Sequence, residues 1–145
     1  MDMSSTKTLV IFPEVEDMGH RDWGTETLLA LVPGKFSLKR LFVKAGSKGG
    51  LQYHHKKNEC GVLVSGQMII RFDNGDGKLA ERVINSGDSF HFPPGAVHQE
   101  EAITDCIIIE ASTPHFNDRV RMEEEYGLTI DGGLPSTSID DVEER

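Results

Sequence analysis

Glycine and proline divide the sequence into short segments, and this regular spacing restricts the fold more than any other feature. Within the segments apolar residues alternate, as Met68, Ile70 and Phe72 do, so that they would share one face of a strand. Many short strands separated by turn residues are typical of a barrel or a sandwich. The pattern predicts strands at residues 26–31, 36–44, 51–55, 61–65, 67–73, 78–84, 89–92, 97–101 and 105–111.

Two further segments carry local signals. Residues 73–77 contain Asn-Gly, the strongest short signal for a hairpin, and they lack the spacing of a calcium-binding EF-hand. Residues 117–126 are rich in helix formers and begin near Asp118, a suitable cap, so a short helix or helical turn is predicted there. Residues 1–7 and the acidic tail 131–145 are expected to be flexible, on either side of one domain over 8–130.

Charge and composition exclude several classes of partner. The net charge is −9, and the basic residues form no longer run than Lys56-Lys57, so binding to nucleic acid or anionic membranes is not expected. No apolar run approaches the ~20 residues of a transmembrane helix. The first seven residues lack the apolar core of a secretory signal, so a cytoplasmic location is expected. Cys60 and Cys106 are then expected to be reduced, buried thiols.

Two segments bring together residue types that bind metals. In residues 46–66, Gln52 and His54 are two apart and share a strand face, and Glu59 begins the next strand after a short polar turn. In residues 87–98, a Pro-Pro-Gly turn leads into a strand that begins with a histidine. The predicted metal ligands are Gln52, His54, Glu59 and His98, with Gln52 either a direct ligand or a residue that orients one.

These two segments resemble the cupin motifs G-x5-H-x-H-x3,4-E-x6-G and G-x5-P-x-G-x2-H-x3-N. Gln52 stands where the first histidine is usual, and Ala102 replaces the final asparagine. A Gln-x-His version is familiar from the cupin domains of phosphomannose isomerases. The chain also resembles the cupin domain of the bifunctional isomerase–guanylyltransferases at Asp22-Trp23-Gly24 and at residues 38–44, 51–55, 63–66 and 118–127.

The resemblance implies an all-β cupin fold: a double-stranded β-helix, or jelly-roll-like barrel, with a short C-terminal helical turn. It also implies a homodimer. Two imidazoles, a carboxylate and an amide suit one divalent transition metal per chain, and Zn²⁺, Mn²⁺, Fe²⁺, Ni²⁺ and Co²⁺ all fit such a set. The family often has an arginine where this chain has Leu128, and the guanylyltransferase domain is not expected.

Three functions fit these residues. The first is a mannose-6-phosphate isomerase-like enzyme, an isomerase or epimerase of a sugar or sugar phosphate in which the metal is a Lewis acid. The second is a non-haem Fe(II) dioxygenase, because two histidines and one carboxylate form its ligand set. The third is a non-catalytic module that binds a small molecule such as a sugar. The candidates for proton transfer are Tyr53, Glu100, Glu101 and His91, and those for binding an anionic group are Arg121 and Lys39.

Overall fold

The computed structural model describes residues 8–12 and 16–145 of the chain. This part of the chain is almost entirely β-structure. Its strands are β1 (Glu16–Arg21), β2 (Gly24–Val32), β3 (Phe36–Val43), β4 (Gln52–Tyr53), β5 (Glu59–Ser65), β6 (Gln67–Asp73), β7 (Leu79–Asn85), β8 (Ser89–Phe92), β9 (His98–Ala102), β10 (Cys106–Ser112), β11 (His115–Phe116), β12 (Val120–Arg121) and β13 (Glu143–Glu144). Two single turns of 3-10 helix lie at Glu124–Tyr126 and Ile139–Asp141.

The strands form two main antiparallel sheets whose inner faces pack together. The first sheet has the order β1-β2-β3-β10-β5-β8, and the second has the order β12-β4-β9-β6-β7; β11 and β13 form a separate short ladder. Every neighbouring pair is antiparallel. This is the jelly-roll-like, all-β architecture that the sequence predicts.

The inner face of each central strand changes from charged to apolar along its length. At one end Lys39 of β3 lies opposite Glu110 of β10, and at the other end Val43 lies opposite Cys106. The apolar ends form the hydrophobic core, which takes side chains from both sheets. The buried members are Val43, Leu63, Met68, Ile70, Ile84, Phe92, Ala102, Cys106 and Ile108. The charged ends face the cavity described below.

The predicted strands all occur, with bounds that differ by at most two residues. The hairpin at residues 73–77 is also confirmed, because Asp73 of β6 lies opposite Leu79 of β7. Four strands were not predicted: β1, β11, β12 and β13. Three of them are two residues long, and β1 has the polar sequence EDMGHR, so none has a run of alternating apolar residues.

The short helix or helical turn predicted at residues 117–126 is confirmed as a single turn at the end of this segment. Only Glu124–Tyr126 forms a helical turn, whereas Val120–Arg121 is strand β12 and pairs with β4. Asp118 does not cap a helix. Its carboxylate instead accepts hydrogen bonds from the backbone N–H groups of residues 55–57. Contacts distant in sequence therefore override the local helix propensity of this segment.

The acidic tail packs on the barrel rather than extending from it, which corrects the expectation for residues 131–145. Its strand β13 pairs with β11, and the Val142 side chain between them and the 3-10 turn is buried. The Thr137 N–H donates to the carbonyl of Arg119, 2.8 Å away. Apolar tail residues are too sparse for a sequence pattern to show this docking. The prediction for residues 1–7 lies outside the described residues.

The two cysteines differ in exposure. Both are free, and Cys106 is buried as expected, but Cys60 is exposed. Cys60 points to the outer face of β5, because the neighbouring Glu59 points inward and strand side chains alternate. Among the described residues, no helix has the length and apolar character needed to cross a lipid bilayer.

Candidate metal centre

Three of the predicted ligands converge in the structure. His54 follows β4, Glu59 begins β5 and His98 begins β9, and one ligand atom of each lies within 4.8 Å of the others. His54 Nε2 is 3.0 Å from Glu59 Oε1, and His98 Nε2 is 3.7 Å from the same oxygen. All three residues are at most 5 % exposed. Such a buried cluster of two imidazoles and one carboxylate has the donor types of a transition-metal site.

Both imidazole rings are oriented by hydrogen bonds to backbone carbonyls. His54 Nδ1 donates to the Asp118 carbonyl at 2.6 Å, and His98 Nδ1 donates to the Ala96 carbonyl at 2.9 Å. A carbonyl can only accept, so the proton of each neutral ring is on Nδ1 and the Nε2 lone pair faces the cluster. Metal-binding histidines are commonly fixed in this way. His98 also stacks on Phe92, with ring centroids 3.8 Å apart.

Asp118 fixes the turn between His54 and Glu59. Its Oδ1 accepts from the His55 N–H at 2.8 Å, and its Oδ2 accepts from the N–H groups of residues 56 and 57 at 2.8 and 2.9 Å. Burial acts to raise the pKa of Asp118, but these three donors outweigh burial and hold the pKa below its usual value. The backbone carbonyl of Asp118 thus orients His54, and its carboxylate fixes the turn that leads to Glu59.

Glu59 is a buried, ionised carboxylate. Burial acts to raise its pKa, but the positive charge of Lys57 and the contact with His54 outweigh burial and hold the pKa well below its usual value. Lys57 Nζ lies 2.9 Å from Oε2 and forms an ion pair with it. Oε2 is buried and has no hydrogen-bond partner among the described residues. A buried anionic oxygen of this kind is suited to a cation.

Gln52 lies beside the cluster. Its Cα pairs with those of His98 and Arg121, and its side chain lines the same cavity as the three ligands. The amide Nε2 makes a long contact of 3.5 Å to the Gly50 carbonyl. Direct ligation by Gln52 stays a prediction. The set of His54, Glu59 and His98 fits a divalent ion, whose identity these donor types leave open.

One motif glycine shows why the ligand strands meet at this point. Gly66 joins β5 to β6 with φ +103°, and a Cβ there would lie 2.4 Å from the Asp105 carbonyl oxygen. Only glycine tolerates both the left-handed backbone and this close approach. The tight turn sends the chain from the first sheet into the second, which brings the motif strands to opposite walls of one cavity.

The cluster opens into a cavity of about 440 Å³ between the two sheets. Two further carboxyl groups, Glu100 and Glu110, line this cavity. Burial, followed by the negative charge of Glu59, raises the pKa of Glu100 to about 8. The same causes raise the pKa of Glu110 well above its usual value. Glu100 is therefore able to exchange a proton near neutral pH.

Two arginines also line the cavity, Arg21 and Arg119. Burial and then the positive charge of Arg21 lower the pKa of Arg119, so the two guanidinium groups repel each other. Arg119 Nη1 donates to the Pro135 carbonyl at 3.1 Å, and Arg21 Nη2 is 3.7 Å from Glu26. Both guanidinium groups have further N–H donors that could bind an anionic group in the cavity.

Of the four proton-transfer candidates, Glu100 alone is among the residues lining this cavity. Tyr53 points to the opposite face of β4 from Gln52 and meets the His55 ring edge-on. Glu101 pairs with Arg71 at 2.9 Å on the outer face of the second sheet. His91 is exposed and forms a hydrogen bond of 2.7 Å with Asn58.

The two candidates for anion binding are already paired. Arg121 lines the cavity, but its Nη2 is 2.5 Å from Glu123 Oε2 and its Nη1 donates to the carbonyls of Gly132 and Leu134. Its guanidinium is thus used to hold the tail. Lys39 is 2.9 Å from Glu26 Oε1 and lies over the Phe116 ring at 4.6 Å.

Sequence reasoning did not find the roles of Asp118, Lys57 or Glu110. Glu110 did carry a usable signal, because it occupies an inward position in the strand CIIIEAS, where apolar residues are otherwise expected. Lys57 and Asp118 lie outside the predicted alternation. Their importance depends on which strands are neighbours, which the sequence pattern leaves open.

Comparison with known proteins agrees with this architecture. Residues 40–109 match the family model of the cupin domain. The chain is 28 % identical over 120 residues to the alginate biosynthesis protein AlgA of Pseudomonas aeruginosa. The aligned region covers 79 % of this chain and 24 % of that protein. The chain therefore spans about a quarter of the length of this curated relative.

Two solved structures are similar. The capsular polysaccharide assembling protein CapF of Staphylococcus aureus is 26 % identical with a TM-score of 0.60, over 68 % of this chain and 28 % of that chain. An RmlC-like cupin from Shewanella frigidimarina is 18 % identical with a TM-score of 0.58, over 74 % of this chain and 90 % of that chain. The second likeness concerns the fold alone. The family match over residues 40–109, the paired sheets and the two motifs support a small cupin that resembles part of the AlgA protein.

Proposed function

We propose that this chain is a metal-dependent isomerase or epimerase of a sugar or sugar phosphate. The observation that carries the proposal is the common cavity, in which the cluster of His54, Glu59 and His98 faces the same space as the carboxyl group of Glu100. An isomerase of this kind needs a site that polarises a carbonyl oxygen and a base that moves a proton between neighbouring carbons.

The cavity residues have complementary roles in this proposal. A divalent ion held by His54, Glu59 and His98, with Gln52 as a fourth ligand, would supply Lewis acidity to a substrate carbonyl. Glu100 shares the inner face of β9 with His98. In its ionised form it takes a proton from the carbon beside the carbonyl and, after exchange with solvent, delivers a proton to the former carbonyl carbon. The step moves one proton between the two carbons, one hydroxyl proton between their two oxygens and the double bond with them, so no oxidant or reductant is consumed.

The substrate is proposed to carry an anionic group. Arg21 and Arg119 both line the cavity, and their guanidinium groups are close enough to repel each other. A phosphate placed between them would relieve this repulsion through bidentate hydrogen bonds. The names of AlgA and CapF concern alginate biosynthesis and capsular polysaccharide assembly, which supports a carbohydrate. We propose a cytoplasmic, small-molecule role and no nucleic-acid partner.

The test of the isomerase is proton exchange at carbon. Metal-loaded protein is incubated in deuterated water with mannose 6-phosphate and related aldose and ketose phosphates, and the products are followed by NMR. We expect interconversion with deuterium at the carbon beside the carbonyl. Glu100→Gln should lower kcat by about 10²–10⁴-fold, whereas its neighbour Glu101→Gln, on the outer face, should leave kcat unchanged. Absence of exchange in the metal-loaded wild type would contradict the proposal.

The anion site is tested separately. Arg119→Ala and Arg21→Ala should raise KM for phosphorylated substrates and leave metal binding intact. The control Arg82→Ala on β7 should leave both KM and metal binding unchanged. Equal KM values for all three variants would remove Arg21 and Arg119 from substrate recognition without affecting the isomerase proposal.

A second candidate function is favoured by the ligand set itself. Two histidines and one carboxylate are the set used by non-haem Fe(II) oxygenases. Iron in the purified protein together with substrate-dependent oxygen uptake would support this alternative against the isomerase. A sugar that binds tightly and is recovered unchanged in both assays would indicate a non-catalytic binding module.

A further inference from the structure

A second cavity lies at the open edge of the two sheets, separate from the cavity of the metal centre. Strands β8 and β7 are the last strands of the first and second sheets, and a turn at residues 86–88 joins them. The cavity beside this turn measures about 620 Å³, which is within the range of small-molecule sites. Its apolar walls come from Ile70, Phe72, Ile84, Phe90, Phe92 and Val97.

One glycine helps to keep this cavity open. Phe90 of β8 lies opposite Gly61 of β5, and a Cβ at Gly61 would lie 2.6 Å from Cζ of the Phe90 ring. The ring therefore occupies the space above Gly61 and leaves the space towards β7 unfilled. Phe92 packs beside it, with ring centroids 4.9 Å apart, so one wall of the cavity is aromatic.

Arg82 of β7 places a positive charge in this apolar cavity. It lies opposite Ile70 of β6, a buried core residue, and therefore occupies an inner position of its strand. Its guanidinium lines the cavity and has no hydrogen bond or ion pair with any described residue. An inward charge on an edge strand discourages edge-to-edge pairing, but that function does not require an apolar cavity beside the charge.

The acidic residues of the cavity do not pair with this arginine. Asp73 accepts hydrogen bonds from two backbone N–H groups of its own turn and from the Tyr126 hydroxyl. Asp88 Oδ2 accepts from the Asn85 N–H at 2.8 Å. Within the described part of the chain, neither carboxylate forms an ion pair with Arg82, so its donors are available to a ligand.

We propose that this cavity binds a small monocarboxylate with an apolar body. The Arg82 guanidinium holds the carboxylate through two parallel hydrogen bonds, a geometry to which arginine is suited. The apolar body lies against Ile70, Phe90 and Phe92, which removes its surface from water. The proposal does not depend on the function of the metal centre, because no described residue lines both cavities.

Octanoate is the probe that tests this site. It is titrated into the full-length protein loaded with Zn²⁺, and the backbone amides are followed by NMR. We expect saturable binding with a Kd of about 1 mM or lower, which about ten non-hydrogen atoms can supply, and shifts at residues 87–90 and 96–97. Acetate lacks the apolar body and 1-octanol lacks the charge, so each should bind at least about tenfold more weakly.

Variants of Arg82 test its part in binding. Arg82→Ala should weaken octanoate binding at least about tenfold, and Arg82→Lys should weaken it less. The control Arg40→Ala removes an exposed arginine of β3 and should bind octanoate as the wild type does. Circular dichroism melting confirms that each variant is folded.

Three results would overturn the proposal. The first is the absence of saturable binding to the wild type. The second is equal affinity for octanoate in Arg82→Ala and Arg40→Ala. The third is a set of shifts confined to the cavity of the metal centre, since octanoate would then bind there instead.

Discussion

His54 and Asp118, 64 residues apart in sequence, are joined by a hydrogen bond of 2.6 Å from the imidazole Nδ1 to the backbone carbonyl. The same aspartate binds the turn that follows His54 with its carboxylate. The first motif is therefore not self-sufficient. The orientation of its histidine and the path of its turn depend on a segment near the C-terminal end of the barrel.

Removal of the Asp118 carboxylate is expected to destabilise the protein. Asp118→Ala leaves three part-buried N–H groups without their acceptor, and the loss should be about 2 kcal/mol of unfolding free energy, or about 6 °C in melting temperature. Asp118→Asn should be milder, because the amide oxygen can still accept. Denaturant unfolding measures both, with Asp140→Ala as an exposed control. Equal stability of Asp118→Ala and Asp140→Ala would show that the turn at residues 55–57 does not depend on the Asp118 carboxylate.

Metal content should follow the two motif histidines. We expect nearly one divalent ion per wild-type chain by elemental analysis, and its loss in His54→Ala and in His98→Ala. His91→Ala changes an exposed histidine that is hydrogen-bonded to Asn58, so it should keep the ion. Wild-type protein that stays free of metal after reconstitution would contradict the site.

Measurement of metal affinity tests whether Gln52 is a direct ligand. If its amide oxygen is a ligand, Gln52→Ala should weaken metal binding by about 10–100-fold, and Gln52→His should restore it, because imidazole is a stronger donor. Competition with a chelating dye measures both constants. Unchanged affinity in Gln52→Ala would place Gln52 outside the metal's ligands.

The tail should be released by acid. Burial acts to raise the pKa of Glu123, but its hydrogen bonds to Arg121 outweigh burial and hold the pKa below the usual 4.5. The stabilisation by this pair is thus complete above pH 4.5 and is lost as the pH falls through the lowered value. Hydrogen exchange in residues 131–145 should accelerate in that range.

A variant tests the same pair at neutral pH. Glu123→Gln leaves the buried Arg121 without a counter-charge, which should cost about 3 kcal/mol and expose the tail to exchange at pH 7. Glu124→Gln, the exposed neighbour, is the control and should behave as wild type. Similar exchange in the two variants would mean that the backbone contacts alone hold the tail.

The motifs and the strand pattern could be predicted from the sequence because both depend on local spacing. Alternation locates a strand wherever one face is apolar, and the fixed distances between ligands, glycines and prolines bring His54, Glu59 and His98 together. The short helix or helical turn predicted at residues 117–126 is limited to one turn at Glu124–Tyr126 for the opposite reason. Its residues favour a helix locally, but Asp118 and Val120–Arg121 are used by strands and turns far away in sequence.

The buried charges were also beyond local reasoning. Lys39 and Glu26 are ordinary surface residues by type, and only the pairing of β2, β3 and β10 shows that they meet Glu110 inside the barrel. The same applies to the tail, whose docking depends on Arg121 and on a two-residue ladder. Such contacts leave no periodic signal.

The change from charged to apolar along the central strands places folding stability at one end of the barrel and cavity specificity at the other. Side chains such as Leu63 and Ile108 occupy the apolar end, and their burial supplies the drive to fold. Glu26, Lys39 and Glu110 occupy the other end and contribute little to that drive. Substitutions there can alter what the cavity accepts while the apolar end preserves the scaffold, so directed evolution of new specificity should begin with these three positions.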